Sequence, residues 1–67
     1  MNTLNTLNML EQMREKMIEY GAEPRRIAVS PQLLDEAKQD LNWWCEHHGI
    51  KLEVHDTLAV SARVLAP

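Results

Sequence analysis

Apolar and polar positions change rhythm along this chain, and the rhythm divides it into five pieces. From about residue 5 to Tyr20, Leu7, Leu10, Met13, Met17 and Tyr20 recur at helical spacing, with Met9 and Ile18 beside them. That period predicts an amphipathic helix over 5–20, capped by an Asn or Thr between Thr3 and Thr6 and stopped at Gly21. Pro24 forces the next residues out of helical space. "RRIAVS" is short, branched and bounded by turn signals, so 25–30 reads as a strand. A second helix is expected over 31–48. Ser30 is its N-cap, Pro31 its first residue, Asp35 and Glu36 lie towards its positive end, and Gly49 stops it. "IKLEVHD" then alternates, with Ile50, Leu52 and Val54 against Lys51, Glu53 and His55. This predicts a strand over 50–56. "VSARVLA" alternates again, with Val60, Ala62 and Val64 on one side, and predicts a strand over 59–66.

The expected fold is a single α+β domain over 1–67, in the order αβαββ. A three-stranded mixed sheet would carry two helices on one face. The first two strands and the helix between them should form a right-handed parallel crossover. The last two strands read as an antiparallel hairpin. That hairpin either adds outside the first strand or places its last strand between the other two.

Composition narrows the function classes. Sixty-seven residues bury a marginal core, so a partner chain is a reasonable support. One cysteine excludes an internal disulfide. Net charge is −3, whereas a generic nucleic-acid binder is basic, so direct nucleic-acid binding is not expected. No apolar run approaches the roughly 20 residues of a membrane span, and "MNTLNTLNML" lacks the features of a secretory signal. A cytoplasmic location is expected.

The candidate chemistry concentrates in "LNWWCEHHGI", which holds both tryptophans, the cysteine and two of the three histidines. On a wheel of about 100° per residue, Leu34, Ala37, Leu41, Trp44 and His48 share a stripe, with Leu33 and Cys45 at its edges. Trp44 should face the core. Trp43 falls roughly opposite, with Glu36, Asp40 and His47 as neighbours. Either the first helix or a loop covers Trp43, or it is an exposed aromatic anchor for another protein or a second copy. Cys45 and His48 could reach one metal ion. A closed zinc site needs four ligands, and His55 alternates onto the far sheet face, so no metal or other cofactor is expected. Cys45 lacks a positioned base and reads as a small buried hydrophobe, so no catalytic residue is assigned and no enzyme is expected.

Two further features bear on partners. Glu11, Glu15 and Glu19 repeat every fourth residue, either as a solvated face or as an anionic docking surface. Met9, Met13 and Met17 lie near one side of the same helix, as core or as an adaptable face. The runner-up function is an oligomeric binder of a small anionic ligand such as a nucleotide. Arg25, Arg26, Lys51 and Arg63 would then be the contacts.

"RIAVSPQLLDEAK" followed by "HHGIKLEVHDTLAVSARVL" resembles small bacteriophage-encoded accessory proteins across residues 25–66. The resemblance implies a cytoplasmic factor that binds and blocks a host protein, defence machinery included, or else a small phage structural component. It carries no catalytic residues. The partner-binding residues expected from the sequence are Trp43, Glu36, Asp40, His47, Glu11, Glu15 and Glu19.

Overall fold

A computed structural model describes residues 3–58 and 60–67. Helix α1 spans Thr3–Glu19, strand β1 Arg26–Val29, helix α2 Pro31–His48, strand β2 Lys51–Val54 and strand β3 Ala62–Val64. The chain forms the expected small α+β domain, with a three-stranded mixed sheet and two helices on one face.

Both helices end in the same way, for the same reason. Gly21 (φ 84°) and Gly49 (φ 65°) adopt left-handed backbone that costs glycine no Cβ clash. After α1, Gly21 N–H donates to Ile18 O at 2.9 Å and Ala22 N–H to Met17 O at 2.8 Å. After α2, Gly49 N–H donates to Glu46 O at 3.3 Å and Ile50 N–H to Cys45 O at 2.8 Å. These paired bonds close the last turns and satisfy their orphan carbonyls. Ser30 caps the start of α2, its Oγ accepting from Leu33 N–H at 3.1 Å. Asp35 and Glu36 lie beyond the first turn, so the N-terminal acidic bias expected for α2 is absent there.

The sheet order is β2-β1-β3. β1 pairs parallel with β2, Arg26 opposite Lys51 and Ala28 opposite Glu53. It pairs antiparallel with β3, Ala28 opposite Arg63. The expected hairpin between the last two strands therefore does not form, and neither arrangement foreseen for it occurs. β1 takes the centre, where Ile27, Ala28 and Val29 are all buried between two flanking strands. The alternating charges of β2 suit an edge. Val54 ends β2 and Ala62 starts β3 on opposite sides of Val29, so the two strands are separated by β1. Ser30 N–H then donates to Ser61 O at 2.8 Å and Leu65 N–H to Arg26 O at 3.0 Å, which fastens β3 to β1.

Ile27, Val29, Leu33, Ala37, Leu41, Trp44, Cys45, Ile50, Ala62 and Val64 form the core with Leu10 of α1. α1 ends at Glu19, one residue earlier than expected, and Tyr20 is exposed rather than part of its apolar stripe. Tyr20 N–H still donates to Lys16 O at 3.2 Å, but the residue stands in the turn at Gly21, and its ring is in solvent. Val60 is likewise exposed and lies before β3, not in it. The expected start of that strand at Ala59 falls outside the described residues. β2 is shorter than expected at both ends.

α2 is not a straight helix. Ala37 has non-helical backbone (φ −136°, ψ 28°), and neither proline nor glycine accounts for the break. Leu33, placed at the edge of the stripe, is buried, while Leu34, placed on it, is half-buried.

Candidate functional site

The C-terminal half of α2 sets the site. Leu41, Trp44 and Cys45 are buried, and Trp44 is 3% exposed. Trp43 points the other way and is 62% exposed, so it is not a core residue. One turn along, His47 lies flat against it, with ring centroids 5.1 Å apart and planes 7° from parallel. His47 meets His48 edge-on at 5.0 Å, and His48 meets Trp44 edge-on at 4.8 Å. Four rings thus run continuously from an exposed indole to a buried one. The spacing of four on a helix brings Trp43 to His47 and Trp44 to His48.

The buried end of this series is tied to α1. His48 Nε2 lies 2.9 Å from Glu11 Oε1, and Glu11 Oε2 accepts from Arg14 Nη1 at 3.1 Å. Burial raises the Glu11 carboxyl, but the hydrogen bond from Arg14 and the charge of His48 outweigh it, and its pKa is lowered. Glu11 is therefore not a member of a uniform outward acidic row. It is a cross-helix tie, because its position on α1 faces the end of α2. Glu15 remains exposed, and Glu19 lies 3.9 Å from Lys16 Nζ. His48, assigned to the core stripe, is half-buried and engaged with Glu11.

Glu36, Asp40, Trp43 and His47 are all exposed along α2. The sequence-expected partner face is thus brought together at Trp43 and His47, with Asp40 and Glu36 further towards the break at Ala37. The indole N–H of Trp44 is buried and has no hydrogen-bond partner, a cost of about 1–3 kcal/mol set against the large apolar ring it buries.

The chain matches no protein-family model, no curated protein and no solved structure.

Cys45 offers no nucleophile. Burial alone pushes its thiol up to about 11, so it is neutral at physiological pH. Its reaction with a water-soluble disulfide reagent at pH 7 should be at least roughly 100-fold slower in the folded protein than in denaturant, since only the thiolate attacks. Equal rates in both states would show that Cys45 is open to solvent. Among the described residues, no group of three or more His, Cys, Asp or Glu could hold a metal ion. Among them, too, no helix is long and apolar enough to cross a membrane.

The four cations expected to meet an anion do not form one site. Arg25, Arg26 and Lys51 line a shallow open concavity of about 540 Å³ with Gly49 and Pro67. Arg63 instead lines a groove of about 520 Å³ between α1 and β3, with Met13, Lys16, Met17, Val60 and Val64. Arg26 is also engaged, its Nη1 donating to Glu53 Oε2 at 3.1 Å. His55 Nε2 lies 3.1 Å from Glu53 Oε1. The hydrogen bonds from His55 and then Arg26 hold the Glu53 carboxyl below its usual range. Met9, Met13 and Met17 are half-buried against the core, as packing and groove lining at once.

The ring series, the Glu11–His48 tie and the break at Ala37 were not foreseen. The first was legible in the spacing of 43, 44, 47 and 48. The second required knowing how the helices cross, and nothing in the sequence signals the third.

Proposed function

We propose that this protein is a non-enzymatic binding module whose recognition face is the outer side of α2, centred on Trp43. The observation that carries this is the exposed indole held flat against His47. The core closes on Trp44 without it, so folding does not explain a large aromatic there. Stacking limits the rotamers of Trp43 and lowers the entropy lost on binding. Tryptophan is also the residue type that most often dominates a protein interface. Asp40 and Glu36 lie on the same side of the helix. The partner is then a protein with an apolar slot rimmed by Lys or Arg. Occupying such a slot blocks it, which is how a small cytoplasmic accessory protein of the phage-encoded kind would inhibit a host factor.

The test is affinity capture from the cytoplasm of the host cell, with the retained proteins quantified against a Trp43→Ala control. A protein retained by the natural sequence and reduced at least roughly tenfold by Trp43→Ala supports the reading. Identical retention by both chains would rule out Trp43 as the anchor.

A second reading, binding of a small anionic ligand, draws on the meeting of Arg25, Arg26 and Lys51 at one concavity. It is the weaker of the two, because Glu53 already neutralises Arg26 and Arg63 lines a different groove.

A further inference from the structure

The two edges of the sheet are not alike. Lys51 N–H donates to Arg25 O and His55 N–H to Val29 O, each at 2.9 Å. The peptide groups of Lys51, Glu53 and His55 therefore face β1, and those of Leu52 and Val54 turn to the outer edge. On the opposite edge the same reasoning turns Ala62 and Val64 outward, but these residues are 0% and 3% exposed and are closed off. On β2, Leu52 is only half-buried and Val54 is 45% exposed, although its side chain belongs to the helix-facing side. β2 is the open edge, and an open edge is a template for another strand.

We infer that β2 pairs antiparallel with β2 of a second copy of this chain, about a two-fold axis at Leu52. The charges choose both the occupant and the register. Centred on Leu52, Lys51 lies opposite Glu53 of the partner subunit, and by symmetry Glu53 lies opposite Lys51 of the partner subunit. Both pairs are attractive, with Glu53 shared between Lys51 of the partner subunit and its own contacts to Arg26 and His55. Centring on Lys51 or Glu53 instead puts like charges directly opposite, which is destabilising. The Leu52 centre also agrees with the peptide directions. The two Leu52 residues exchange both their main-chain hydrogen bonds, and Val54 N–H reaches the carbonyl of Ile50 of the partner subunit. The Ile50 N–H is already spent on Cys45 O. On the helix side Val54 packs against Ile50 of the partner subunit and leaves water. One continuous sheet then runs through both copies, and a marginal core gains the support that so short a chain needs. The interface is separate from the Trp43 face.

The test is light scattering on the purified protein alone over a wide concentration range, with two variants. The natural chain should approach twice its 7.8 kDa mass as concentration rises. Lys51→Glu should raise the dissociation constant at least roughly tenfold, by turning two attractive cross-strand pairs into repulsive ones. It should not harm the fold, because Lys51 sits opposite Arg26 within the chain. Val54→Pro removes an outward N–H, a change an edge strand tolerates, and should leave a monomer. Trp43→Ala should leave the dimer intact, so failure here is distinct from failure of the binding face. A monomer at every concentration would overturn the inference. So would a dimer that survives both β2 variants, or one that Trp43→Ala dissolves.

Discussion

Trp44→Ala is expected to lower the stability of this domain by about 3–5 kcal/mol. Trp44 is 3% exposed and packs among Leu41, Cys45 and the strands of the core, so its removal leaves a cavity that a two-layer domain cannot collapse around. It also removes the ring that His48 meets edge-on, next to the tie from His48 to Glu11. Small domains hold only a few kcal/mol in reserve, so this variant should be largely unfolded by far-ultraviolet circular dichroism. Trp43→Ala, one residue away, should stay within about 0.5 kcal/mol of the natural chain in urea unfolding, as exposed substitutions do. Similar losses at both positions would show that Trp43 is structural after all.

Leu10→Ala should cost about 2–5 kcal/mol. Leu10 is fully buried and is the deepest anchor of α1, whose other apolar contacts, Leu7, Met9, Met13 and Met17, are only half-buried. Methionine adapts to a gap more readily than it fixes a helix. The loss should therefore appear first in α1. Hydrogen exchange at residues 7–17 should speed up ahead of exchange in β1, which is central and buried between two strands. Uniform acceleration across the chain would mean that α1 and the sheet open as one unit. A loss below about 1 kcal/mol would mean that α1 does not depend on Leu10 for its docking.

The elements were largely written in the sequence, because their punctuation is chemical. Ser30, Pro31, Gly21 and Gly49 act within a few residues of themselves, and the structure uses each in the expected role. The strand order was not legible. Lys51, Glu53 and His55 alternate equally well in a hairpin or at a lone edge. What decides is the burial of Ile27, Ala28 and Val29 together, a property of the assembled sheet. The opposed directions of Trp43 and Trp44 followed from helix geometry alone, since adjacent residues cannot face one core. The inward turn of Glu11 did not, because an acidic row at spacing four looks the same whether or not another helix crosses it. The break at Ala37 was not legible either, although Leu33, Ala37, Leu41 and Trp44 keep one buried stripe across it. It left the region from Leu41 onwards in phase, and so left the site readable.

Binding through an aromatic that the fold does not need is the central claim, and the indole itself can report on it. Trp44→Phe keeps most of the buried ring, removes an N–H that has no hydrogen-bond partner, and leaves Trp43 as the sole tryptophan. Acrylamide quenching of that variant measures what covers Trp43. The fluorescence should be quenched nearly as fast as that of a free tryptophan amide in the isolated protein, at monomer and dimer concentrations alike, and shielded once the captured partner is added. Protection of Trp43 in the isolated protein, or unchanged quenching in the complex, would contradict the account.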